Sequence, residues 1–553
     1  MSLRNPFVRR RQRRTLHLLG RQIAAVEAYL APAVAVAESD RPVAFFNAST
    51  RIHTLSLNGA YGLLASWALR AAGQPVEYWV CTAGLRPCVL GTDRAAPRTP
   101  PPCAACLDLS HGLFPESLTF PVVLDGAQTE GLRQELERLP LAQLMSYEAE
   151  DLPLGPLILP SVRWILRRHH LPEAPDVRSL YAAYLASAAA LAVTLRRRLQ
   201  ARRLRALVVF NGIFYPEAIA RRIAQEASIP VITHEVGLRP SSAFFSHREA
   251  TFREVDDVGD LVLTPEQDAA LEGVLERRFR GEFTMAGVRF WPSMEGLPAS
   301  LVEKARRHRQ LVAVFSNIIF DTSQVHANVL FEDMFAWLDD LAATIAQRPD
   351  TLFVLRAHPD EIRRGKESRE SVETWFRASP LARLENVVFI GADEAVSSYD
   401  LIRTAKFILV YNSSIGLEAT ILGTAALCAG RARFTQIEAA FVPPNVDTYR
   451  RWLEDFLAAP AEEVGESRRR NARAFLYGEW FRASLDLGEF LAPVRDLPGM
   501  TGFADFPPAR LLEAEACQVL RRGILEGAPF LLPPSGSPLS APAGEKLPTR
   551  ERA

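Results

Sequence analysis

Two short stretches carry the residue types from which a phosphate-handling site is made. The run "TLFVLRAHPDE" (351–361) ends an apolar segment on His358 and Pro359. The run "FILVYNSSIGLEATILG" (407–423) ends another on Asn412, Ser413 and Ser414, just as a helical pattern begins. Proline biases the residue before it toward an extended backbone, which projects the His358 imidazole off the strand end. An imidazole there can donate a hydrogen bond to a phosphate oxygen and, when protonated, offset charge developing on a departing nucleotide. In the second stretch Ser413 or Ser414 falls at the N-cap, and the unpaired N–H groups of a helix start favour an anion. Gly416 leaves room for close approach of a ligand to the backbone. Glu418, one turn inside, is placed for a ribose diol. A serine cap and a loop histidine are also ordinary structural features. The two together, on strands separated by one other strand, point to a bound nucleotide.

The elements that must position these residues alternate along the chain. Strand "RPVAFFNAS" (41–49), a helical pattern over 56–73 and strand "PVEYWVC" (75–81) open a parallel α/β sheet. Residues 91–175 are Pro-rich, with loops and short helices. A long helix over 177–203 leads to strand 206–210, helix 216–227 and strand 230–234, and a mixed connection with one helix at 265–280 follows. A second alternation begins at 311, with strands at 311–315, 351–355, 386–390, 407–411 and 425–429 and helices at 326–347, 398–405 and 414–422. Helices then dominate 446–495. The expected organisation is a basic N-terminal helix or tail (1–40), a Rossmann-like domain (41–300), a second Rossmann-like domain with trailing helices (306–500) and a disordered Pro/Ser/Gly tail (530–553).

Ligands of such sheets bind outside the carboxyl ends of the strands. Asn47, Asn211, His234, Asn317, His358 and Asn412 all stand at or just past predicted strand ends, three in each half, which predicts a polar cleft between two domains. In the first half Glu217, at the start of a helix behind Pro216, is a candidate base for an acceptor hydroxyl. An acid in a first turn also simply stabilises the helix dipole. His234 and Glu235 are rival acid/base candidates, and Asn211 shares their edge.

Composition narrows the class. The 553 residues are too many for one ordinary core. The charge is balanced, 64 basic against 64 acidic residues, which gives no support to nucleic-acid binding. The most apolar stretch, "YAAYLASAAALAVTL" (181–195), is short for a membrane span and reads as a buried helix. The Arg-rich start, "MSLRNPFVRRRQRRTLHLLG", reads as a solvated tail or a contact with anionic lipid at the inner membrane. Six cysteines and no recognisable secretion signal suit a reducing compartment, with the cytoplasm as the expected location. Cys81, Cys88, Cys103 and Cys106 have the spacing C-x6-C-x14-C-x2-C, with one C-x-x-C pair where a zinc signature has two.

The segments "FSNIIFDTS" (315–323), "LFVLRAHPDE" (352–361) and "VVFIGADEAVSSYDLIRTAKFILVYNSSIGLEATILGTAALCAG" (387–430) resemble the capsular polysaccharide biosynthesis proteins, including β-Kdo transferases. "VVFNGIFYPEAIARRIAQEASIPVITHEVG" (208–237) is similar to the acceptor half of such enzymes. The resemblance, over about 205–435, implies a GT-B fold: two Rossmann-like domains facing across a cleft, with a helical C-terminal segment. It implies transfer of a sugar from a nucleotide donor, CMP-linked and Kdo-like, to a glycan or glycolipid acceptor. His358, Ser413 and Ser414 would contact donor phosphate, Asn317 would line that pocket, and Glu418 would meet the ribose. No metal or cofactor is expected, and no Asp-x-Asp occurs in the cleft motifs. Two alternatives share the fold: a UDP-sugar 2-epimerase-like enzyme, which needs no glycan acceptor, and a non-catalytic scaffold for capsule components.

Overall fold

The computed structural model describes residues 19–31, 41–46, 55–97, 99–249, 261–281, 295–363, 365–461, 464–494 and 499–533. The basic residues before 19, Asn47 and most of the expected C-terminal tail lie outside these.

The first sheet is built from β1 (Val43–Phe46), β2 (Val76–Cys81), β3 (Thr119–Val122), β4 (Ala206–Phe210), β5 (Val231–Val236) and β6 (Ser242–Ser246). The second contains β7 (Gln310–Phe315), β8 (Thr351–Arg356), β9 (Val387–Ile390), β10 (Phe407–Val410) and β11 (Ala425–Cys428). A late two-residue strand, β12 (Leu485–Asp486), returns to the first sheet, whose order is β12-β6-β5-β4-β1-β2-β3. The second sheet has the order β11-β10-β7-β8-β9 and is parallel throughout. Its strands are near-continuous apolar runs, as a sheet covered on both faces requires. In the first sheet only β6 runs against the other strands, pairing antiparallel with β5 on one side and β12 on the other.

Each sheet has one point where the chain's progress reverses. The first moves outward through β1, β2 and β3, then restarts at β4 beside β1. The second moves through β7, β8 and β9, then restarts at β10 beside β7. The crevice at such a reversal, at the strands' carboxyl ends, is where a doubly wound sheet offers a ligand site.

Local chemistry sets the elements. Ser56 caps the helix Leu57–Ala71 through its hydroxyl, 3.0 Å from the Gly59 N–H. Thr264 and Gln267 form a reciprocal capping box on Pro265–Phe279. The long helix Pro175–Ala201 has 27 residues, so by length and apolarity it could cross a membrane, unlike the fifteen-residue stretch read from sequence. It is nevertheless largely buried, packed on the helices Gly126–Leu136, Leu154–Leu166 and Glu217–Glu226.

The domain limits differ from those expected. Leu271, Leu275 and Leu301 belong to the second unit's core, so the helices Pro265–Phe279 and Ala299–Arg306 pack there and not with the first sheet. Conversely, the chain after residue 484 crosses back. β12 extends the first sheet, and Cys517, Leu520 and Ile524 of the helix Glu515–Glu526 pack in the core of Leu57–Ala71. Within the segment assigned to a basic helix or tail, residues 19–31 form a helix that buries Leu19, Ile23, Val26 and Leu30 at helical spacing. Glu27 of this helix pairs with buried Arg70 at 2.6 Å.

Candidate functional site

At the second sheet's reversal point the two strand-end asparagines meet. Asn317, after β7, donates from Nδ2 to Oδ1 of Asn412, after β10, at 2.8 Å. Gln324 donates to the same oxygen at 3.3 Å, and Asn412 Nδ2 donates to the Ser323 carbonyl at 2.6 Å. All three amide side chains are buried. They lock the loops after β7 and β10 to each other, a cross-strand pairing that strand order alone determines.

Ser413 and Ser414 begin the helix Ile415–Leu422 beside this knot. Ser413 Oγ accepts the Ile415 N–H at 3.4 Å, a weak cap. Ser414 is exposed, has helical backbone angles and makes no side-chain cap bond, so capping does not occupy its hydroxyl. Gly416 has a different reason from the one expected. A Cβ there would lie 2.9 Å from Phe434 Cζ and 3.1 Å from Val410 Cγ2, so the glycine admits a core aromatic ring. Glu418 also points inward. Its carboxylate accepts from Arg278 Nη2 at 2.5 Å and from the Tyr399 hydroxyl at 2.6 Å, with 4% of the side chain exposed. The position read as a ribose contact therefore holds an internal ion pair that ties the helix Pro265–Phe279 beneath the serine turn.

His358 stands at the end of β8 with φ −74° and ψ 131°, the extended backbone that Pro359 favours. Its Nδ1 accepts the Asp360 N–H at 3.2 Å, which leaves the proton of the neutral ring on Nε2. Burial holds the imidazole below its ordinary pKa against the opposing pull of Asp360 and Asp321. It therefore rests as a neutral hydrogen-bond donor and not as an imidazolium. Arg356, two residues earlier, is buried and donates to the Gly391 and Glu394 carbonyls at 2.6 and 2.7 Å, bracing the loop after β9. Burial lowers its pKa to about 10.

The first sheet's reversal point is also polar. Asn211, after β4, adopts a left-handed backbone (φ 58°), with Gly212 following at φ 76°. Asn211 Oδ1 accepts the Ile213 N–H at 3.1 Å, and its Nδ2 donates to Glu235 at 3.1 Å. The other Glu235 oxygen accepts from Asn58 Nδ2 at 3.0 Å and from the Val236 N–H at 2.9 Å. Three donors thus orient one half-buried carboxylate on the edge where β1 and β4 diverge. Glu217 is buried at the first residue of its helix. His234 turns away from this edge. Its ring stacks on Phe245 at 5.3 Å and lies 6.1 Å from Phe210. Burial drives its pKa down to about 3, and its Nδ1 has no hydrogen-bond partner. An imidazole enclosed by two phenylalanines is poorly placed to take a proton from an acceptor.

Sequence reading passed over Gln324 and left Asn412 as a strand end without a role. Gln324 sits in a loop with no periodic signal. Asn412 becomes legible once β10 is known to lie beside β7. Cys81 and Cys106 lie near enough to Cys88 to raise the pKa of its thiol, yet no three of the four clustered cysteines bring their sulfurs within 4.8 Å of one another. Among the described residues, only His169, His170 and Asp333 form a group with metal-ligand spacing. A cavity of about 380 Å³ lined by Arg70, Glu77, Arg198 and Arg202 lies at the start of β2, the edge of the first sheet opposite its reversal point.

No protein-family model matches the sequence, and no curated protein matches it. Solved structures to which it is similar include the KpsC β-Kdo 2,4 transferase of Thermosulfurimonas dismutans. That likeness has 14% identity over 56% of this chain and 87% of the other, with a TM-score of 0.33. The β-Kdo 2,7 transferase of the same organism gives 15%, 56%, 85% and 0.32. The UDP-GlcNAc 2-epimerase of Neisseria meningitidis gives 13%, 52%, 76% and 0.24. The chain's own topology, two Rossmann-like sheets with a C-terminal segment crossing back, is of the GT-B type.

Proposed function

We propose that this chain is a GT-B glycosyltransferase that moves a sugar from a nucleotide donor, CMP-linked and Kdo-like, to a surface or capsular polysaccharide acceptor. The observation that carries the reading is the constellation at the second reversal point. Locked Asn317 and Asn412, the uncapped hydroxyl of Ser414 and the neutral, proton-donating His358 stand together on the edge where this fold takes a ligand. Preorganised donors of this kind stabilise a phosphate as charge builds on it. The eight-residue helix behind Ser414, Ile415–Leu422, adds its dipole to the same end.

On the acceptor side the reading assigns the orienting and deprotonating role to Glu235, because its carboxylate is held at the reversal point by Asn58 and Asn211. Glu217 is the second carboxylate on that edge and His234 supports the wall. The cytoplasmic face of the inner membrane suits the Arg-rich N-terminus and a lipid-linked acceptor, and it is part of the same proposal.

The test is a thermal-shift panel with CMP, CDP, UDP and GDP on the wild type and His358→Ala. A ligand at 100 times its dissociation constant adds about 2.7 kcal/mol of stability. CMP or CDP stabilises the wild type and the variant loses the response. A response to UDP alone would sink the cytidine donor and favour an epimerase-like enzyme. No response to any nucleotide would leave a scaffold.

A further inference from the structure

A polar cluster outside the donor site joins the two units. His169 and His170 lie in the turn after the helix Leu154–Leu166, in the first unit. Asp333 caps the helix Met334–Ala346, in the second. His170 Nε2 is 3.0 Å from Asp333 Oδ2, and His169 Nε2 is 3.7 Å from the same oxygen. Among the described residues, no other group of three histidine, cysteine or carboxylate ligand atoms comes within 4.8 Å of one another.

The surroundings fix which atoms face inward. His169 Nδ1 stands 3.4 Å from the Ile319 carbonyl, which can only accept, so that nitrogen carries the proton and Nε2 carries a lone pair. His170 Nδ1 stands 2.6 Å from Glu370 Oε1, and a carboxylate likewise calls for a proton there. With both rings neutral, two imidazole lone pairs and one carboxylate oxygen converge with no hydrogen between them. Asp333 is itself oriented, because its Oδ1 accepts the Phe335 and Ala336 N–H groups at 2.7 and 3.0 Å. The turn is held as well. Glu370 Oε2 accepts the His169 and His170 backbone N–H groups at 2.9 and 3.0 Å, and Arg163 Nε donates to the His169 carbonyl at 2.9 Å.

We propose that His169, His170 and Asp333 bind a divalent first-row transition cation, of which Zn2+ is the best match, and that this ion staples the two units beside the cleft. Imidazole nitrogen and carboxylate oxygen are the ligands of such ions, at bond lengths near 2.0–2.1 Å. Tetrahedral coordination at those lengths separates ligand atoms by roughly 3.3 Å, a value that the observed 3.0 and 3.7 Å bracket. The Ile319 carbonyl and Glu370 are the outer partners that a metal-bound imidazole needs on its far nitrogen. The His170 side chain is 56% exposed, which leaves ion entry and a fourth, solvent ligand open. The opposing account is a simple ion pair in which His170 is protonated between its two carboxylates.

The experiment is a Co2+ titration of the chelator-treated full chain, followed by visible absorption and by displacement with Zn2+. The wild type should take up one equivalent with a nitrogen/oxygen spectrum. Asp333→Asn keeps a good helix cap, so folding checked by circular dichroism should hold while affinity falls roughly a hundredfold or more. Glu370→Gln should weaken binding by about 10- to 100-fold through the far nitrogen of His170. A wild type that takes up no stoichiometric Co2+, or an Asp333→Asn variant that binds as the wild type does, would overturn the site. So would a thiolate charge-transfer band, which would move the ion to the cysteines.

Discussion

Glu418 decides whether the helix after the serine turn is read by ribose or braced from within. Replacing Glu418 by Gln removes the negative charge opposite Arg278 and keeps the shape. Both carboxylate oxygens are in use, at 2.5 Å from Arg278 Nη2 and 2.6 Å from the Tyr399 hydroxyl, and the side chains are 4% and 10% exposed for Glu418 and Arg278. Breaking one side of a buried pair costs about 3–5 kcal/mol, chiefly because the remaining charge is stranded. The glutamine can still accept from Tyr399, so the lower figure, about 3 kcal/mol, is expected. For a unit of roughly 200 residues this lowers the melting temperature by about 6–12 °C. Differential scanning calorimetry of the wild type, Glu418→Gln and the double variant Glu418→Leu/Arg278→Met measures it. The double variant should recover most of the loss, since two apolar groups replace a pair that was costly to bury. If Glu418→Gln melts within 1 °C of the wild type yet loses nucleotide binding, the brace is wrong and the ribose contact is right.

Gly416→Ala should gain the helical preference of alanine, up to about 1 kcal/mol, yet lose more to the contact with Phe434 and Val410. A net loss of about 1–2 kcal/mol in urea denaturation is expected, and a gain would mean that Phe434 moves freely. Glu361 is buried, its Oε1 accepts the Val372 N–H at 3.1 Å, and burial raises its pKa from 4.5 to about 7. The folded state thus holds a proton that the unfolded chain releases, so stability is full below about 4.5 and falls as pH rises toward 7. Over that range the loss approaches roughly 3 kcal/mol, and Glu361→Gln should flatten this part of the stability–pH curve measured by urea titration.

How much of this was legible depends on where the signal lies. β4 and the paired strands of the second unit were readable because fully buried parallel strands are unbroken apolar runs. β3 was not, since its "TFPV" carries a proline and lies at a sheet edge, where backbone pairing and not side-chain pattern makes it a strand. The return of residues 485–526 to the first unit left no local trace, because Leu485, Cys517 and Leu520 look the same whichever core they fill. At the site, residue type located the edge well, since polar groups at strand ends face the crevice. It located orientation poorly. His234 and Glu235 are neighbours in sequence, and strand alternation sends one between two phenylalanines and the other to the asparagine amides.

The same geometry separates scaffold from contact. Asn412 Oδ1 already accepts from Asn317 and Gln324, and its Nδ2 is committed to the Ser323 carbonyl. Arg356 is likewise bound to the Gly391 and Glu394 carbonyls. A ligand that recruited these groups would have to break buried hydrogen bonds, each worth about 0.5–1.5 kcal/mol net and more when a partner is left unsatisfied. Their work is to hold the loops after β7, β8, β9 and β10 still. On the proposed function, contact with a phosphate would then fall to Ser414, with its exposed and uncapped hydroxyl, and to His358 at the end of β8. Rigid carriers and outward donors are what electrostatic stabilisation of a leaving nucleotide requires, since donors already in place cost no reorganisation as charge develops.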